Sequence, residues 1–229
     1  MQILSLFFLN LLPKGSKTVN KTVELVKLWG DYEAQHPDCT IDDFFRHRLS
    51  LAAKEEKLAV PEWQLHPDIN GKLMILIRRI GKYHIVYSNK ALEGTGLDQI
   101  EEFGILVTIF NQVNPIKSEA IYNNIMELSS GTNMLNRMKK RGLINEHSDK
   151  EDKRIKRLKL TTKGEESLGK AKVRVLQVAK MMVSVLSDED KQLCLHLLSP
   201  VSERFAGTFP KHKNKAFDEI LKEIVGEGK

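Results

Sequence analysis

Apolar residues recur at steps of three and four along most of the chain, which is the spacing of one face of an α-helix. The strongest run extends from Ile69 to Glu93 and comes close to a heptad pattern. It predicts a helix roughly 37 Å long at about 1.5 Å per residue. Because a small domain rarely covers a helix of that length, we expect its apolar face to pack against a partner outside the domain.

Helical spacing continues on both sides of this run. In three places an acid follows a hydroxyl residue by three positions, an acidic variant of the capping box that begins a helix. The three pairs are Thr40 with Asp43, Thr95 with Asp98, and Ser187 with Asp190. The remaining predicted helices cover residues 18–36, 40–57, 95–114, 118–124, 129–141, 162–186, 188–198 or beyond, and 213–225.

Two short segments interrupt the helical spacing and are compatible with β-strands. They cover residues 143–147 and 155–160, and a polar, charged hairpin tip separates them. Leu158 and Leu160 would face the core from the second strand. The order helix, short helix, turn, helix, strand, charged hairpin, strand is that of a winged helix-turn-helix.

The distribution of charge agrees with this order. The chain has 229 residues and a net charge of +6. The window from Ser129 to Lys163 holds eleven Lys and Arg residues against four acids, a net charge of +7, so the remainder carries −1. A basic cluster on a nearly neutral body is typical of a surface that binds a polyanion, although many charge runs are only a solvated helix face.

Other kinds of chemistry find little support. No dinucleotide-binding, phosphate-loop or nucleophile-elbow motif occurs, so we expect no enzyme activity and no cofactor. The histidines lack metal-ligand spacing, and no apolar run reaches the length of a membrane span.

The apolar residues 3–12 lack the basic start of a signal peptide, and we expect a cytoplasmic protein. Cys194 lies in an apolar run and is expected in the core, while acids near Cys39 disfavour its thiolate.

The predicted third helix of the winged unit has the composition of a recognition helix. Such a helix presents short polar groups to base edges from its first turns and cations to phosphates. Leu135 and Met138 would face the core. Gly131 lies within the helix and costs roughly 1 kcal/mol against alanine. The candidate DNA-binding residues of this helix are Ser129, Ser130, Thr132, Asn133, Asn136, Arg137, Lys139 and Lys140, with Arg141 as a further cation.

Three linked motifs in this region resemble those of the MarR (multiple antibiotic resistance regulator) family. Residues 137–143 match R-L-x-x-R-G-L with Met138 in place of leucine, residues 152–157 match the wing motif D-x-R-x-x-R, and residues 158–164 match L-x-L-T-x-x-G. The resemblance covers about residues 69–205. It implies a winged-helix domain joined to helices that form a homodimer on a roughly palindromic DNA duplex. The position where the family often has glycine is Ile125, so we expect Asn124 to make the turn before the recognition helix.

The resemblance also implies roles for individual wing residues. Arg154 would enter the minor groove, where narrow A·T stretches attract arginine. Asp152 would orient it through a salt bridge, and Arg157 would be structural or contact a phosphate. Lys150 and Lys153 would flank the wing. MarR-like regulators often keep a ligand pocket between their lobes, which Tyr83, His84 and Tyr87 could line if they do not simply pack at the dimer seam.

The sequence therefore predicts a mainly α protein with a small β-wing. We expect an N-terminal helical extension over residues 1–62, a MarR-like region over 63–206 and a C-terminal tail helix over 207–229. The winged helix-turn-helix would occupy about 97–164, between dimerisation helices at about 69–93 and 162–206. The predicted function is that of a homodimeric, sequence-specific regulator on double-stranded DNA, with a possible small-molecule effector. The alternative is a winged helix that binds other proteins and holds DNA only weakly.

Overall fold

The computed structural model describes residues 20–53, 68–212 and 215–226. These residues fall into two compact units that divide between Lys72 and Leu73. The apolar residues 3–12 and the predicted linker at 58–67 lie outside the described residues. The elements are α1 (Lys21–Gln35), α2 (Ile41–Ala53), α3 (Ile69–Ala91), α4 (Ile100–Gln112), α5 (Lys117–Asn123), α6 (Leu128–Lys140), β1 (Ile144–Ser148), β2 (Lys156–Leu160), α7 (Thr162–Met182), α8 (Asp188–His212) and α9 (Phe217–Val225).

The first unit contains the helices α1 and α2, which pack through aromatic side chains. Phe44 of α2 is buried and makes an edge contact with Trp29 of α1 at 5.5 Å between ring centroids. The capping box predicted at Thr40 and Asp43 is confirmed, because each side chain accepts the other residue's backbone N–H. The Thr40 hydroxyl and the Thr40 backbone N–H both donate to the Asp43 carboxylate and lower the pKa of Asp43.

The long helix predicted from Ile69 is confirmed as α3. The Asp68 carboxylate caps it by accepting the backbone N–H groups of Asn70 and Gly71. The apolar face of α3 is largely exposed to solvent within this single chain. Its exposed members include Leu73, Leu76, Ile77 and Ile80.

The capping box predicted at Thr95 and Asp98 is wrong. Helix α4 begins later, at Ile100, and its N-cap Gln99 makes no side-chain cap hydrogen bond. The Thr95 hydroxyl instead donates to the Leu92 carbonyl and closes the turn after α3. The Asp98 backbone N–H donates to the buried carboxylate of Glu102. Thr95 thus bonds to a residue that precedes it in the chain, and Asp98 bonds to one that follows it.

The core of the second unit joins α4, α5, α6, the two strands and the start of α7. Leu135 and Met138 of α6 are buried in it, as predicted, and so are Leu158 and Leu160 of β2. The other members of the cluster are Leu92, Leu97, Ile105, Leu106, Ile109, Ala120, Ile121, Met134, Leu143, Ile144, Leu168 and Ala171. This core fixes the inner face of α6, so that the opposite face is held outward.

The strands β1 and β2 form an antiparallel hairpin in which Ile144 pairs with Leu160 and Ser148 with Lys156. Arg157 also bridges to Ile116, in the segment just before α5. At the other end of the hairpin, Thr161 caps α7 by accepting the Gly164 N–H. A Cβ on Gly164 would lie 2.1 Å from the Leu143 carbonyl oxygen, so the glycine of the L-T-x-x-G motif permits a close backbone approach.

The C-terminal helices depart from prediction mainly in length. The box of Ser187 and Asp190 caps α8, as predicted, and the helix continues through Pro200 to His212. Cys194 is exposed rather than buried, because the apolar run around it lies on the outside of α8 in this chain. No helix in the described ranges is both long and apolar enough to cross a membrane.

Candidate nucleic-acid interface

Helix α6 separates its residue types cleanly between two faces. Gly131, Met134, Leu135 and Met138 are buried against the core. The predicted contact residues mostly lie on the other face, and among them Thr132 is half-buried. Those that are exposed are Ser129, Ser130, Asn133, Asn136, Arg137, Lys139 and Lys140. One surface thus begins with short polar groups and ends with cations.

The end of α6 follows from its sequence. Gly142 adopts a positive φ of 73°, and the Leu143 N–H donates to the Met138 carbonyl at 3.0 Å. The Gly142 N–H donates to the Lys139 carbonyl in the same turn. This is the Schellman arrangement, which needs a left-handed residue directly after the helix. It turns the chain from the cationic end of α6 straight into β1.

The start of α6 differs from prediction. The helix begins at Leu128 after the N-cap Glu127, so Ser129 and Ser130 lie inside its first turn and do not cap it. The left-handed residue of the preceding turn is Ile125, with φ of 55°, and not Asn124. The Asn124 side-chain amide donates to the Thr108 hydroxyl and the Ala120 carbonyl. These bonds hold Asn124 at the end of α5, so the chain reverses one residue later.

Gly131 has a structural reason for its place within α6. A Cβ at this position would lie 2.4 Å from Cγ2 and 2.8 Å from Cγ1 of Ile121. Ile121 is fully buried in α5. The missing side chain therefore lets α5 and α6 approach closely, and this contact sets how far the polar face of α6 projects.

Arg141 does not belong to the outward cationic surface on which we expected it. Its guanidinium pairs with the Glu102 carboxylate and, at 2.6 Å, with that of Asp98. It also donates to the Gly96 carbonyl. Burial opposes the charged form, but the paired carboxylates outweigh it and raise the pKa of Arg141. The motif arginine anchors the end of α6 to the start of α4.

The wing tip carries one outward arginine. The Arg154 side chain is 94% exposed, and its backbone N–H donates to the Asp152 carboxylate at 2.9 Å. The Nε of Arg154 lies 3.4 Å from the same oxygen. The Asp152 carboxylate thus contacts both the backbone and the side chain of Arg154, and Lys150 and Lys153 are exposed beside it.

Arg157 lies at the base of the wing and points inward. Its Nε pairs with the Asp149 carboxylate, and its Nη1 donates to the Asn114 carbonyl at 3.0 Å. Of the two roles that the resemblance allowed, these contacts favour the structural one. Nearby, Lys117 and Glu146 form a second salt bridge at 2.7 Å, which lowers the pKa of Glu146.

The candidate effector residues lie on α3. Tyr83 and Tyr87 are exposed and His84 is half-buried. The Arg79 guanidinium donates to the Tyr83 hydroxyl at 2.9 Å. In the first unit Cys39 is half-buried, and burial together with Glu33 and Asp43 raises the pKa of its thiol. No cluster of metal-ligating side chains occurs among the residues that the structure describes.

Comparison with solved structures places this fold among known proteins. A putative MarR-like transcription regulator from Bacillus cereus ATCC 10987 is 24% identical, with a TM-score of 0.54 over 59% of this chain and 96% of its own. A mutant of MarR from E. coli in complex with operator DNA is 21% identical, with a TM-score of 0.54 over 58% and 98%. The PcaV transcriptional regulator from Streptomyces coelicolor in complex with its natural ligand is 18% identical, with a TM-score of 0.52 over 64% and 98%.

These likenesses confirm the predicted fold class, a mainly helical MarR-like fold with a two-stranded wing. No protein-family model matches the chain. No curated protein matches it significantly in sequence. The three solved structures match 58% to 64% of this chain and 96% to 98% of their own lengths.

Proposed function

We propose that this chain, whose fold is that of the MarR-like regulators, is a sequence-specific transcriptional regulator that binds double-stranded DNA as a homodimer. The observation that carries the proposal is the division of α6 into a buried apolar face and an outward polar and cationic face. A wing with a held, exposed arginine stands beside it. We propose no enzyme activity for the protein and expect it in the cytoplasm.

The positions of the side chains suggest how binding energy and specificity are divided. Ser129, Ser130, Thr132, Asn133 and Asn136 would meet base edges in the major groove from the first turns of α6. The cations would contact phosphates and supply most of the affinity. These cations are Arg137, Lys139, Lys140, Lys150 and Lys153. Arg154 would enter the adjacent minor groove.

The exposed apolar face of α3 supports the dimer. The helix has 23 residues and leaves a row of large apolar side chains in water. Each Å² of apolar surface left exposed costs about 25 cal/mol compared with burying it. The apolar residues of α8, among them Leu195, Val201 and Phe205, are exposed as well. A second copy of the chain would cover these faces and bring two recognition helices onto one duplex.

A small-molecule effector is a further part of the proposal. Tyr83, His84 and Tyr87 lie on α3, the helix that would form the dimer seam. A ligand bound there could favour one separation of the two recognition helices over another. The PcaV structure with its natural ligand is a precedent within this fold.

The proposal is tested by selecting sequences bound by the full chain from a pool of random duplex DNA. We expect enrichment of a two-fold repeat whose half-sites lie about 10 base pairs apart, one helical turn. Sedimentation should give about twice the chain mass of 26.2 kDa. A monomer that enriches no sequence would contradict the proposal and favour the alternative of a winged helix that binds proteins.

A further inference from the structure

The wing turn is organised by Asp149, a residue to which sequence analysis gave no role. Its Oδ1 accepts the backbone N–H of Glu151 at 2.8 Å and that of Asp152 at 3.2 Å. Its Oδ2 accepts from Nε of Arg157. One carboxylate oxygen thus shapes the turn, and the other pairs with Arg157 at the base of the wing.

The contacts of Arg157 extend this arrangement to the helix-turn-helix. Its Nη1 reaches the Asn114 carbonyl, and the neighbouring Leu158 N–H donates to the Pro115 carbonyl at 3.0 Å. Both carbonyls lie directly before α5. The side chain of Arg157 is only 33% exposed, and that of Asp149 only 14%. The pair therefore links the wing turn to the segment from which α5 starts.

The same turn carries the residue that holds Arg154. The backbone of Asp152 is bonded to Asp149, and the Asp152 side chain is bonded to Arg154. A chain of contacts runs from Asn114 through Arg157, Asp149 and Asp152 to Arg154. Each link is a hydrogen bond or ion pair between named atoms. Moving the Asp149 carboxylate would release the turn that holds Arg154.

We propose that Asp149 is a positioning residue for DNA binding, which holds Arg154 in register with the helix-turn-helix through Arg157 and the wing turn. This inference rests on the proposed function, because Arg154 is the group that would contact DNA. Asp149 itself does not touch DNA. Its carboxylate charge is matched by the Arg157 guanidinium.

Because Asp149 is negatively charged, its proposed role and simple electrostatics predict opposite changes in DNA affinity when it is replaced. A carboxylate on a DNA-binding surface repels phosphates, so removing one should strengthen binding if it has no other role. Asp149→Asn loses the ion pair with Arg157 that orients the side chain, so the remaining amide oxygen holds the Glu151 and Asp152 N–H groups less firmly. We expect this variant to bind DNA more weakly, against the simple electrostatic expectation.

The test measures equilibrium affinity of the full chain for a 30-base-pair duplex taken from the random-pool selection. Asp149→Asn should bind roughly three- to tenfold more weakly than the wild type, part of the loss expected for a misplaced arginine contact. Glu151→Gln is the matched control, since it removes the same charge from an exposed wing side chain. It should bind equally or slightly more tightly.

A double-mutant cycle with Arg154→Ala separates positioning from a general effect on the fold. In the Arg154→Ala background, Asp149→Asn should change the affinity by less than about twofold. An equal loss in both backgrounds would overturn the inference, and so would an Asp149→Asn affinity that matches the Glu151→Gln control.

A measurement without DNA keeps the inference distinct from the proposed function. Hydrogen exchange should show faster exchange at the Glu151 and Asp152 amides in Asp149→Asn than in the wild type or in Glu151→Gln. Unchanged exchange would overturn the inference even if DNA binds. Failure of the wild type to bind any duplex, with exchange changed as expected, would overturn the DNA-positioning role together with the proposed function and leave only the wing contact.

Discussion

The Glu102 carboxylate pairs with the Arg141 guanidinium across 39 residues of sequence and joins the first turn of α4 to the end of α6. The side chain of Glu102 is 1% exposed and that of Arg141 is 27% exposed. Such a pair is costly to break, because the remaining charge stays buried without its partner. The orientation of α6 therefore depends on an ion pair that lies behind its outward cationic face.

Replacing Glu102 with glutamine should destabilise the fold. We expect a loss of about 2–3 kcal/mol, less than the usual cost of about 3–5 kcal/mol for a broken buried pair, since Asp98 still contacts Arg141. Asp98→Asn is the matched control, because that carboxylate is 69% exposed and should be worth less than about 1 kcal/mol. Urea unfolding measures both. Equal losses in the two variants would contradict the buried role of Glu102.

Gly131→Ala tests the contact between α5 and α6. The added methyl would meet Ile121, and we expect a net destabilisation of about 1–2 kcal/mol after the gain in helix propensity. The control Gly169→Ala in α7 meets nothing within 4 Å and should stabilise by up to about 1 kcal/mol. Thermal or urea unfolding distinguishes them.

The Gly131 prediction has an internal check. In an Ile121→Ala background the clashing atoms are gone, so adding Gly131→Ala should become neutral or stabilising. If Gly131→Ala costs the same with and without Ile121, the close approach is not the reason for the glycine.

Asp149 should contribute stability in a defined pH window. Hydrogen bonds from Arg157 and from the amides of Glu151 and Asp152 lower its pKa from 3.8 to about 2. A folded-state pKa below the unfolded value adds stability above that unfolded value, which is lost as the pH falls through the folded one. The stability difference between wild type and Asp149→Asn should therefore shrink between about pH 4 and pH 2. A difference that stays constant over this window would contradict it.

Arg154→Ala should weaken binding to the selected duplex by roughly 5- to 100-fold and reduce the slope of log affinity against log salt by up to about 1. The control is Lys180→Ala, which removes a cation in the last turn of α7. It should leave both quantities nearly unchanged. Unchanged affinity and slope for Arg154→Ala would remove the wing from the mechanism.

The parts of the structure that sequence predicted are those with local signals. The caps at Thr40 and Ser187 depend on partners three residues away, so spacing alone specifies them. Leu135 and Met138 face the core because a helix of fixed period leaves them no other side. The wing motif likewise places Asp152 two residues from Arg154.

The parts that sequence missed depend on distant or competing contacts. Arg141 looks like one more cation of a basic run, and only the fold brings Glu102 beside it. Asn124 has the residue type for a left-handed turn, but its side chain is engaged by Thr108 and Ala120. Thr95 and Asp98 have the spacing of a capping box, yet each finds another partner. Spacing carries no information about such competition.

The central claim, electrostatic binding of double-stranded DNA by α6 and the wing, is tested most directly by titrating the full chain with random 30-base-pair duplex at about 50 and 200 mM salt. Three to five phosphate contacts in each of two subunits predict an affinity that falls roughly 1,000- to 100,000-fold between these conditions. Weak binding that does not change with salt would contradict the claim and indicate a winged helix that binds proteins instead.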